Sequence, residues 1–280
     1  NKGRIKNVLN QVKPDKIHAH NLGNNAELAE IIRKRFSINY LVSARSLNNN
    51  SLYKLKDGKL TPAKILSLNF KTYEINKNNS KIPLKLIPHP VDNDFFVDTE
   101  AINIKEKPKF ISVCRLLELK NIDKVLLALS EIKLPYSYDI YGSGPEMEKL
   151  KNMVDELNLQ SKINFEGQVP HYEIKKVMKE YDLLLQPSFP ETLGRVYFEA
   201  MASGVPVIAS KNTGIDGLIK SGREGYLVNH NSIEEIRSSI QIYLNLCKKK
   251  ETNLKKAAIS KALSYRWENT LRSYYKFYEQ

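Results

Sequence analysis

Apolar and polar residues alternate along the chain in a pattern that predicts strands and helices in turn. A short apolar run at 182–186 predicts a buried strand, and two prolines interrupt it within 187–190. Helical spacing then runs from 193 to 203, and strand character resumes at 205–209. This segment is therefore predicted to be strand, loop, helix, strand.

The same alternation extends over most of the chain. Strands are predicted at 38–43, 63–69, 110–114 and 136–141, a strand and turn at 163–170, and helices at 2–12, 26–35, 122–133, 146–158 and 233–246. Alternating strands and helices indicate an α/β protein with parallel sheets.

The composition narrows the class of protein. With 280 residues, 41% of them hydrophobic, the chain is long enough for two domains. It has no apolar run of about 18 residues and no signal peptide in its first 20 residues, so we expect a cytoplasmic protein. Cys114 and Cys247 lie in no metal-binding or redox motif, so we expect free thiols and no metal site.

The net charge of +13 leaves three kinds of partner open: nucleic acid, an anionic membrane surface and phosphorylated substrates. Lysines are spread along the chain with clusters at 248–250 and 255–256, and no RNA-binding motif accompanies them. They indicate either solvated helix faces or loose docking on anionic lipid, and nucleic acid binding is supported by charge alone.

Two carboxylates stand out in the segment that follows the strand at 182–186. Glu191 lies in the loop and Glu199 in the predicted helix, and Gly194 lets the backbone approach something closely at the helix start. A helix N-terminus favours phosphate, and a helix beginning at Leu193 puts Glu199 roughly 9 Å further along its axis. One carboxylate can then lie beyond the phosphates and the other beside the body of a nucleotide.

The segment PSFPETLGRVYFEAMASGVPVIAS resembles the Glu-x7-Glu segment of the retaining glycosyltransferases of family four, the glycosyl transferases group 1. The resemblance implies the GT-B fold, in which two Rossmann-like domains with parallel sheets face each other. By motif position it implies that Glu191 contacts the donor sugar and Glu199 the ribose hydroxyls. Thr192, Leu193 and Gly194 are then donor-binding residues at the helix start.

A second motif lies in the loop after the strand at 110–114. Residues 115–121, RLLELKN, resemble the family's G-R-L-x-x-x-K-G loop, which implies that Arg115 and Lys120 bind the donor diphosphate. Cys114 and Asn121 replace the two glycines, and Asn is the next best residue at positive φ. Capping of the following helix is the structural alternative.

Two further turns resemble those that line the family's nucleotide pocket. Gly142 and Gly144 stand in a G-x-G-P turn, and Val169 follows the strand where the family's backbone meets the base. As a dinucleotide fingerprint the glycine turn fails, because G-x-G-x-x-G is incomplete.

The N-terminal part shows a weaker resemblance. KPDKIHAH, residues 13–20, resembles a strand partway through the family's first domain, so we expect that domain to lack its N-terminal part. His18 and His20 are expected to alternate, with at most one facing a cleft. Arg45 stands where the family has a His; because Arg does not deprotonate, it could bind phosphate or an acidic acceptor instead.

The resemblance implies four parts. These are a partial acceptor-side domain at 1–92, a linker at 93–109, a nucleotide-sugar-binding domain at 110–264, and a C-terminal helix at 265–280 that returns to the first domain.

The function implied is that of a cytoplasmic retaining enzyme, with loose contact at the inner face of the membrane. It would move a hexosyl or N-acetylhexosaminyl group from a nucleotide-diphosphate sugar to a glycan or lipid-linked acceptor, without metal or cofactor, in surface polysaccharide, lipopolysaccharide or glycolipid synthesis. Glu191, Arg115 and Lys120 are the candidate catalytic residues. A truncated, non-catalytic nucleotide-sugar-binding protein is the alternative, and a chain lacking the first strands is expected to bind donor but transfer poorly.

Overall fold

Parallel strands joined by helical crossovers build both halves of the chain, as the alternating pattern predicts. The computed structural model describes residues 2–44, 55, 57–79, 81–102 and 104–279. Two compact units follow one another, 1–88 and 89–280.

The first unit contains a four-stranded parallel sheet in the order β1-β2-β3-β4. Its elements are α1 (Lys2–Val12), β1 (Lys16–His20), α2 (Asn24–Phe36), β2 (Asn39–Ala44), β3 (Lys64–Ser67), α3 (Phe70–Asn79) and β4 (Leu84–Leu86). β2 is buried on both of its faces: Tyr40 and Val42 lie on one face and Leu41 on the other, and all three side chains are buried.

A buried carboxylate ties three parts of this unit together. Glu30 of α2 accepts hydrogen bonds from Arg33, from the Tyr40 hydroxyl of β2 at 2.8 Å and from the Thr61 backbone at 2.8 Å. Burial alone would raise the pKa of Glu30, but these hydrogen bonds outweigh it and lower the pKa from 4.5 to about 2. The ionised carboxylate is therefore part of the folded structure.

The histidines of β1 correct one expectation. His18 and His20 lie on the same face of the strand, with ring centroids 4.4 Å apart. Residues two apart in a strand share a face, so the expectation that these two side chains alternate between faces was wrong. His18 Nε2 lies 2.6 Å from the Ser43 hydroxyl of β2.

The second unit contains a six-stranded parallel sheet in the order β10-β9-β8-β5-β6-β7. Its strands are β5 (Lys109–Val113), β6 (Ser137–Tyr141), β7 (Ile163–Gly167), β8 (Leu183–Leu185), β9 (Val207–Ser210) and β10 (Gly225–Val228). Its helices are α4 (Ile122–Ser130), α5 (Met147–Glu156), α6 (His171–Val177), α7 (Arg195–Ala202), α8 (Ile233–Leu244), α9 (Lys248–Leu263) and α10 (Trp267–Glu279).

The middle of this sheet is buried on both faces, which explains why β8 and β9 are nearly continuous apolar runs while the edge strand β7 alternates. All three residues of β8 are fully buried, and Phe110 of β5 stacks on Tyr136 with ring centroids 5.6 Å apart. The chain passes from β5 outward to β7 and then returns to β8 on the other side of β5. The strand order thus reverses between β5 and β8, the place where open α/β sheets bind ligands.

The helix after β8 begins later than its pattern predicts. α7 starts at Arg195, with Gly194 as its N-cap, rather than at Leu193. Glu199 therefore lies about 6 Å along the axis from the helix start, not 9 Å.

Helix α9 was not anticipated from the sequence, and it changes the interpretation of the lysine clusters. Lys255 is 3% exposed and lies 2.8 Å from Asp182 and 3.1 Å from Glu251. The Tyr243 hydroxyl donates to the same Glu251 at 2.7 Å. Lys255 is thus part of a buried ionic network rather than of a solvated or membrane-docking face.

The start and the end of the second unit are joined. The Val91 backbone donates to the Tyr265 carbonyl at 2.8 Å, and the Arg266 guanidinium lies 4.7 Å from the centre of the Phe96 ring. Phe95 is buried, and its carbonyl accepts from the Ser203 hydroxyl at 3.0 Å.

Within the part of the chain that the structure describes, no helix has the length and apolar character needed to cross a membrane.

The buried network predicts a large difference between adjacent lysines. Lys255→Met should lower the free energy of unfolding by about 3–5 kcal/mol, because it removes the buried cation that Asp182 and Glu251 share and leaves Asp182 with only the more exposed Lys105 at 3.3 Å. Lys256→Met is the matched control: Lys256 pairs with Glu100, whose side chain is 81% exposed, and the change should cost about 1 kcal/mol or less. Urea denaturation followed by circular dichroism measures both, and equal losses would contradict the structural role of Lys255.

Glu30 predicts a pH-dependent stability. Because its pKa is lowered from 4.5 to about 2, the ionised side chain contributes stability above pH 4.5, and that contribution disappears as the pH falls through about 2. Glu30→Gln should therefore be less stable than the parent at pH 7, with a difference that shrinks steadily below pH 4.5. Urea denaturation at several pH values tests this, and a difference that does not change with pH would show that the charge is unimportant.

Candidate functional site

The loops at the carboxyl ends of four neighbouring strands carry the residues that the sequence singles out. The described candidates come from the loops after β5, β6, β7 and β8: Arg115 and Lys120, Gly142 and Gly144, Val169, and Glu191, Thr192, Leu193 and Gly194. Glu199 lies in α7, which follows β8. Parallel strands end at the same edge of a sheet, so these loops are neighbours.

At the point where the strand order reverses, Lys120 and Glu191 form an ion pair. Lys120 Nζ donates to Glu191 Oε2 at 2.8 Å, and the two side chains are only 16% and 13% exposed. The Thr192 backbone N–H donates to Glu191 Oε1 at 3.0 Å. Both carboxylate oxygens are therefore engaged, by a lysine 71 residues away and by the adjacent backbone.

Hydrogen bonds join the loop after β5 to the loop after β8 and hold Lys120 near Glu191. Lys120 ends a 3₁₀ turn, Glu118–Lys120, and Asn121 follows it with φ of 54°, in the left-handed region that Asn tolerates better than most non-glycine residues. The Asn121 side chain donates to the Pro187 carbonyl at 2.7 Å, and the Phe189 backbone donates to the Leu119 carbonyl at 2.8 Å. Asn121 therefore both shapes its own turn and holds the β8 loop.

The glycines after β6 allow its loop to lie directly on the loop after β5. A Cβ atom at Gly142, where φ is 136°, would overlap the Cys114 carbonyl oxygen, and one at Gly144 would overlap that of Leu116. The Leu116 backbone donates to the Ser143 carbonyl at 2.9 Å across this contact. These glycines are needed for loop packing, whatever contact they make with a ligand.

A pocket of about 510 Å³ opens beside these two loops. It is lined by Val113, Cys114, Arg115, Tyr141, Gly142, Ser143, Gln168, Val169 and Ile174. Arg115 is exposed, and burial raises the pKa of the Cys114 thiol to about 12, so the thiol stays protonated at neutral pH. Of the candidates, Arg115, Gly142 and Val169 contribute to this pocket.

At the start of α7, the close approach that Gly194 permits is to the protein itself. Gly194 has φ of 69°, and a Cβ there would overlap the Tyr197 ring, whose hydroxyl donates to the Gln186 carbonyl at 2.7 Å. Leu193 is buried and Thr192 is exposed. Thr192 is thus the accessible member of this group, while Leu193 anchors the loop.

Glu199 is a buried acid with a partner that sequence analysis missed. It is 6% exposed, and its Oε1 lies 3.1 Å from His171 Nε2 and 3.8 Å from the Arg195 guanidinium. His171 begins α6, just after Pro170, and its ring packs on Phe95 with centroids 5.5 Å apart. A single histidine at a helix start carries no sequence signal for this contact, because Glu199 is 28 residues away.

A second pocket, of about 730 Å³, lies between the start of the second unit and its last helix. Its lining consists of His89, Pro90, Asp92, Asn93, Arg195, Trp267, Thr270, Leu271 and Tyr274. Aromatic residues of the C-terminal tail thus line a cavity within the second unit.

Two other points concern the candidate chemistry. Arg45 falls outside the residues that the structure describes. Among those it does describe, no group of three or more His, Cys, Asp and Glu side chains is arranged to hold a metal ion.

Curated relatives match about half of the chain. WcaL of Salmonella typhimurium, named as a putative colanic acid biosynthesis glycosyltransferase, is 30% identical over 141 residues, which are 47% of this chain and 35% of WcaL. The chain spans about a third of the length of this relative.

Solved structures resemble nearly the whole chain. Sucrose-phosphate synthase from Thermosynechococcus elongatus superposes with a TM-score of 0.82 at 22% identity, covering 99% of this chain and 76% of that one. HepE of Anabaena, solved in complex with UDP, superposes with a TM-score of 0.84 at 17% identity, covering 98% and 81%. These likenesses, with the two parallel sheets, show an α/β GT-B fold.

The family model described as "Glycosyl transferases group 1" matches residues 95–261, which is more than half of the chain and includes every candidate residue of the second unit. The chain therefore belongs to the glycosyl transferases group 1 family.

Proposed function

We propose that the protein is a retaining glycosyltransferase that transfers a sugar from a nucleotide-diphosphate sugar to a glycan or lipid-linked acceptor. The observation that carries this proposal is the Lys120–Glu191 pair at the reversal of strand order, beside a pocket large enough for a nucleoside. WcaL, which is named for colanic acid biosynthesis, supports a role in surface polysaccharide or lipopolysaccharide synthesis. HepE, which was solved with UDP, supports a nucleotide-diphosphate donor.

The diphosphate is assigned to the loop after β5. Arg115 offers a planar fork of donors at the pocket edge, and Lys120 offers a compact charge. The start of α7 adds a partial positive charge from its free backbone N–H groups. In this proposal the protein supplies the positive charge that stabilises the leaving group, so the reaction needs no metal ion.

The ion pair itself is assigned a role in donor binding. A diphosphate that accepts a hydrogen bond from Lys120 would take the place of Glu191 Oε2, now 2.8 Å from Nζ. Glu191 would then be free to accept hydrogen bonds from the sugar hydroxyls, while the Thr192 backbone still holds its Oε1. Diphosphate binding and sugar binding would thereby be coupled.

The nucleoside is assigned to the pocket of about 510 Å³, with Val169 at its wall and Glu199 at the ribose. Helix α6 connects the two places: Ile174 lines the pocket, and His171 on the same helix contacts Glu199. A buried carboxylate that accepts from two ribose hydroxyls gives both affinity and orientation.

Transfer is assigned to front-face attack, which retains the configuration at the sugar. The acceptor hydroxyl oxygen bonds to the anomeric carbon, the bond to the diphosphate oxygen breaks, and the acceptor proton passes to that departing oxygen. Arg115 and Lys120 would stabilise the departing charge and Glu191 would hold the sugar. The first unit, with Arg45, is assigned to the acceptor.

A donor panel tests the proposal as a whole. Uridine, guanosine and adenosine diphosphate sugars are compared by thermal shift, and transfer to isolated lipid-linked glycan is followed by mass spectrometry. One base should raise the melting temperature clearly more than the others, with release of the corresponding nucleoside diphosphate during transfer. Failure of all three sugars to bind would refute the proposal.

Lys120→Ala tests the diphosphate assignment. It should weaken a nucleoside diphosphate about ten-fold or more by removing a charge-assisted hydrogen bond, and should leave the free nucleoside nearly unchanged. Lys124→Ala is the matched control, because Lys124 donates to Asn121 and Asn231 rather than to Glu191. Isothermal titration calorimetry measures both, and equal losses for nucleoside and diphosphate would show that Lys120 does not bind phosphate.

A further inference from the structure

We infer that His171 is a positioning residue, which holds the Glu199 carboxylate in the orientation that accepts the ribose hydroxyls of a nucleoside diphosphate. This inference rests on the proposed function and assigns a role to a residue that the family resemblance did not mark.

The first observation is the environment of Glu199. A carboxylate that is 6% exposed is costly to keep charged unless it is hydrogen-bonded. His171 Nε2 lies within hydrogen-bond distance of Oε1, at 3.1 Å. The Arg195 guanidinium, at 3.8 Å with a side chain 59% exposed, is beyond that distance and screened by solvent. His171 is therefore the better placed of these two partners.

The second observation is that His171 is itself held by a closed circuit of contacts. Its ring packs on Phe95, the Phe95 carbonyl accepts from the Ser203 hydroxyl at 3.0 Å, and the Ser203 backbone donates to the Glu199 carbonyl at 3.2 Å. The circuit returns to His171 through the Glu199 side chain. The imidazole and the carboxylate are thus fixed relative to each other from both ends.

Helix α6 is anchored to the same region one turn further on. Lys175 pairs with Asp92, just before the turn that carries Phe95. Ile174, three residues after His171 on the same helix, lines the pocket of about 510 Å³. The helix therefore joins the proposed nucleoside pocket to the acid proposed to bind ribose.

The division of the carboxylate oxygens gives His171 its role. With Oε1 engaged by His171, Oε2 is the atom that accepts from the ribose. Without the imidazole, the carboxylate would be buried with a lost hydrogen bond and would rotate among several orientations, so ordering it again would weaken ribose binding. The loss falls on donor binding rather than on the transfer step.

The test uses calorimetry with UDP, GDP and ADP, followed by the 2′,3′-dideoxy form of the nucleotide that binds the parent protein most tightly. The variants are His171→Ala, His171→Gln and Glu199→Gln. Tyr172→Ala is the matched control, because Tyr172 is adjacent and its side chain is 57% exposed.

His171→Ala should weaken the ribose-bearing nucleotide on the order of ten-fold and leave the dideoxy form unchanged. His171→Gln should restore most of the affinity, because its amide also donates. In transfer assays, His171→Ala should raise the donor KM with little change in kcat. Tyr172→Ala should behave as the parent does.

The remaining outcomes distinguish the role of His171 from the assignment of Glu199 to the ribose. Equal weakening of both nucleotide forms would show that His171 acts on folding or on another part of the ligand, and would overturn the inference. Weakening by Glu199→Gln but not by His171→Ala would also overturn it and leave the ribose assignment standing. If Glu199→Gln has no effect, or if none of the three nucleotides binds, the ribose assignment itself fails and the inference with it.

Discussion

The reversal of strand order between β5 and β8 is the constraint on which the rest of the candidate site depends. Because these two strands are neighbours in the sheet, the loops that follow them meet, although 71 residues separate Lys120 from Glu191. The bonds from the Asn121 side chain and the Phe189 backbone then hold these two loops close enough for their side chains to pair, and the glycine turn after β6 packs on the β5 loop. Local backbone geometry and sheet topology both contribute, and neither alone would form the ion pair.

The buried charged side chains described here are all paired or hydrogen-bonded, but some stabilise the fold and others are assigned to ligand binding. Glu30 and the Asp182–Lys255–Glu251 network are satisfied within the fold and stabilise it. The Lys120–Glu191 pair is partly exposed, so a ligand with its own anionic oxygens can compete for the lysine. Glu199 lies between these cases: it is almost fully buried, yet its close hydrogen bond comes from a histidine whose side chain is 52% exposed. The accessible pairs are the ones we assign to chemistry.

The glycines show how a motif can serve a fold and a site together. Their resemblance to a nucleotide-binding turn predicts proximity to a ligand, whereas the structure shows that Gly142, Gly144 and Gly194 permit close contacts within the protein. Those contacts shape the pocket wall and the start of α7. A substitution at any of them would therefore alter stability and the pocket at once, which makes them poor probes of binding alone.

The sequence by itself determined the α/β class, the order of most strands and helices, and the turn at Asn121, because hydrophobic periodicity and backbone preference are local properties. It also identified the loops that carry Lys120 and Glu191 through their motifs. It could not determine that α7 begins at Arg195, that Lys255 is buried, or that His171 contacts Glu199. Each of these depends on segments far apart in the chain, and only tertiary packing decides which of them meet.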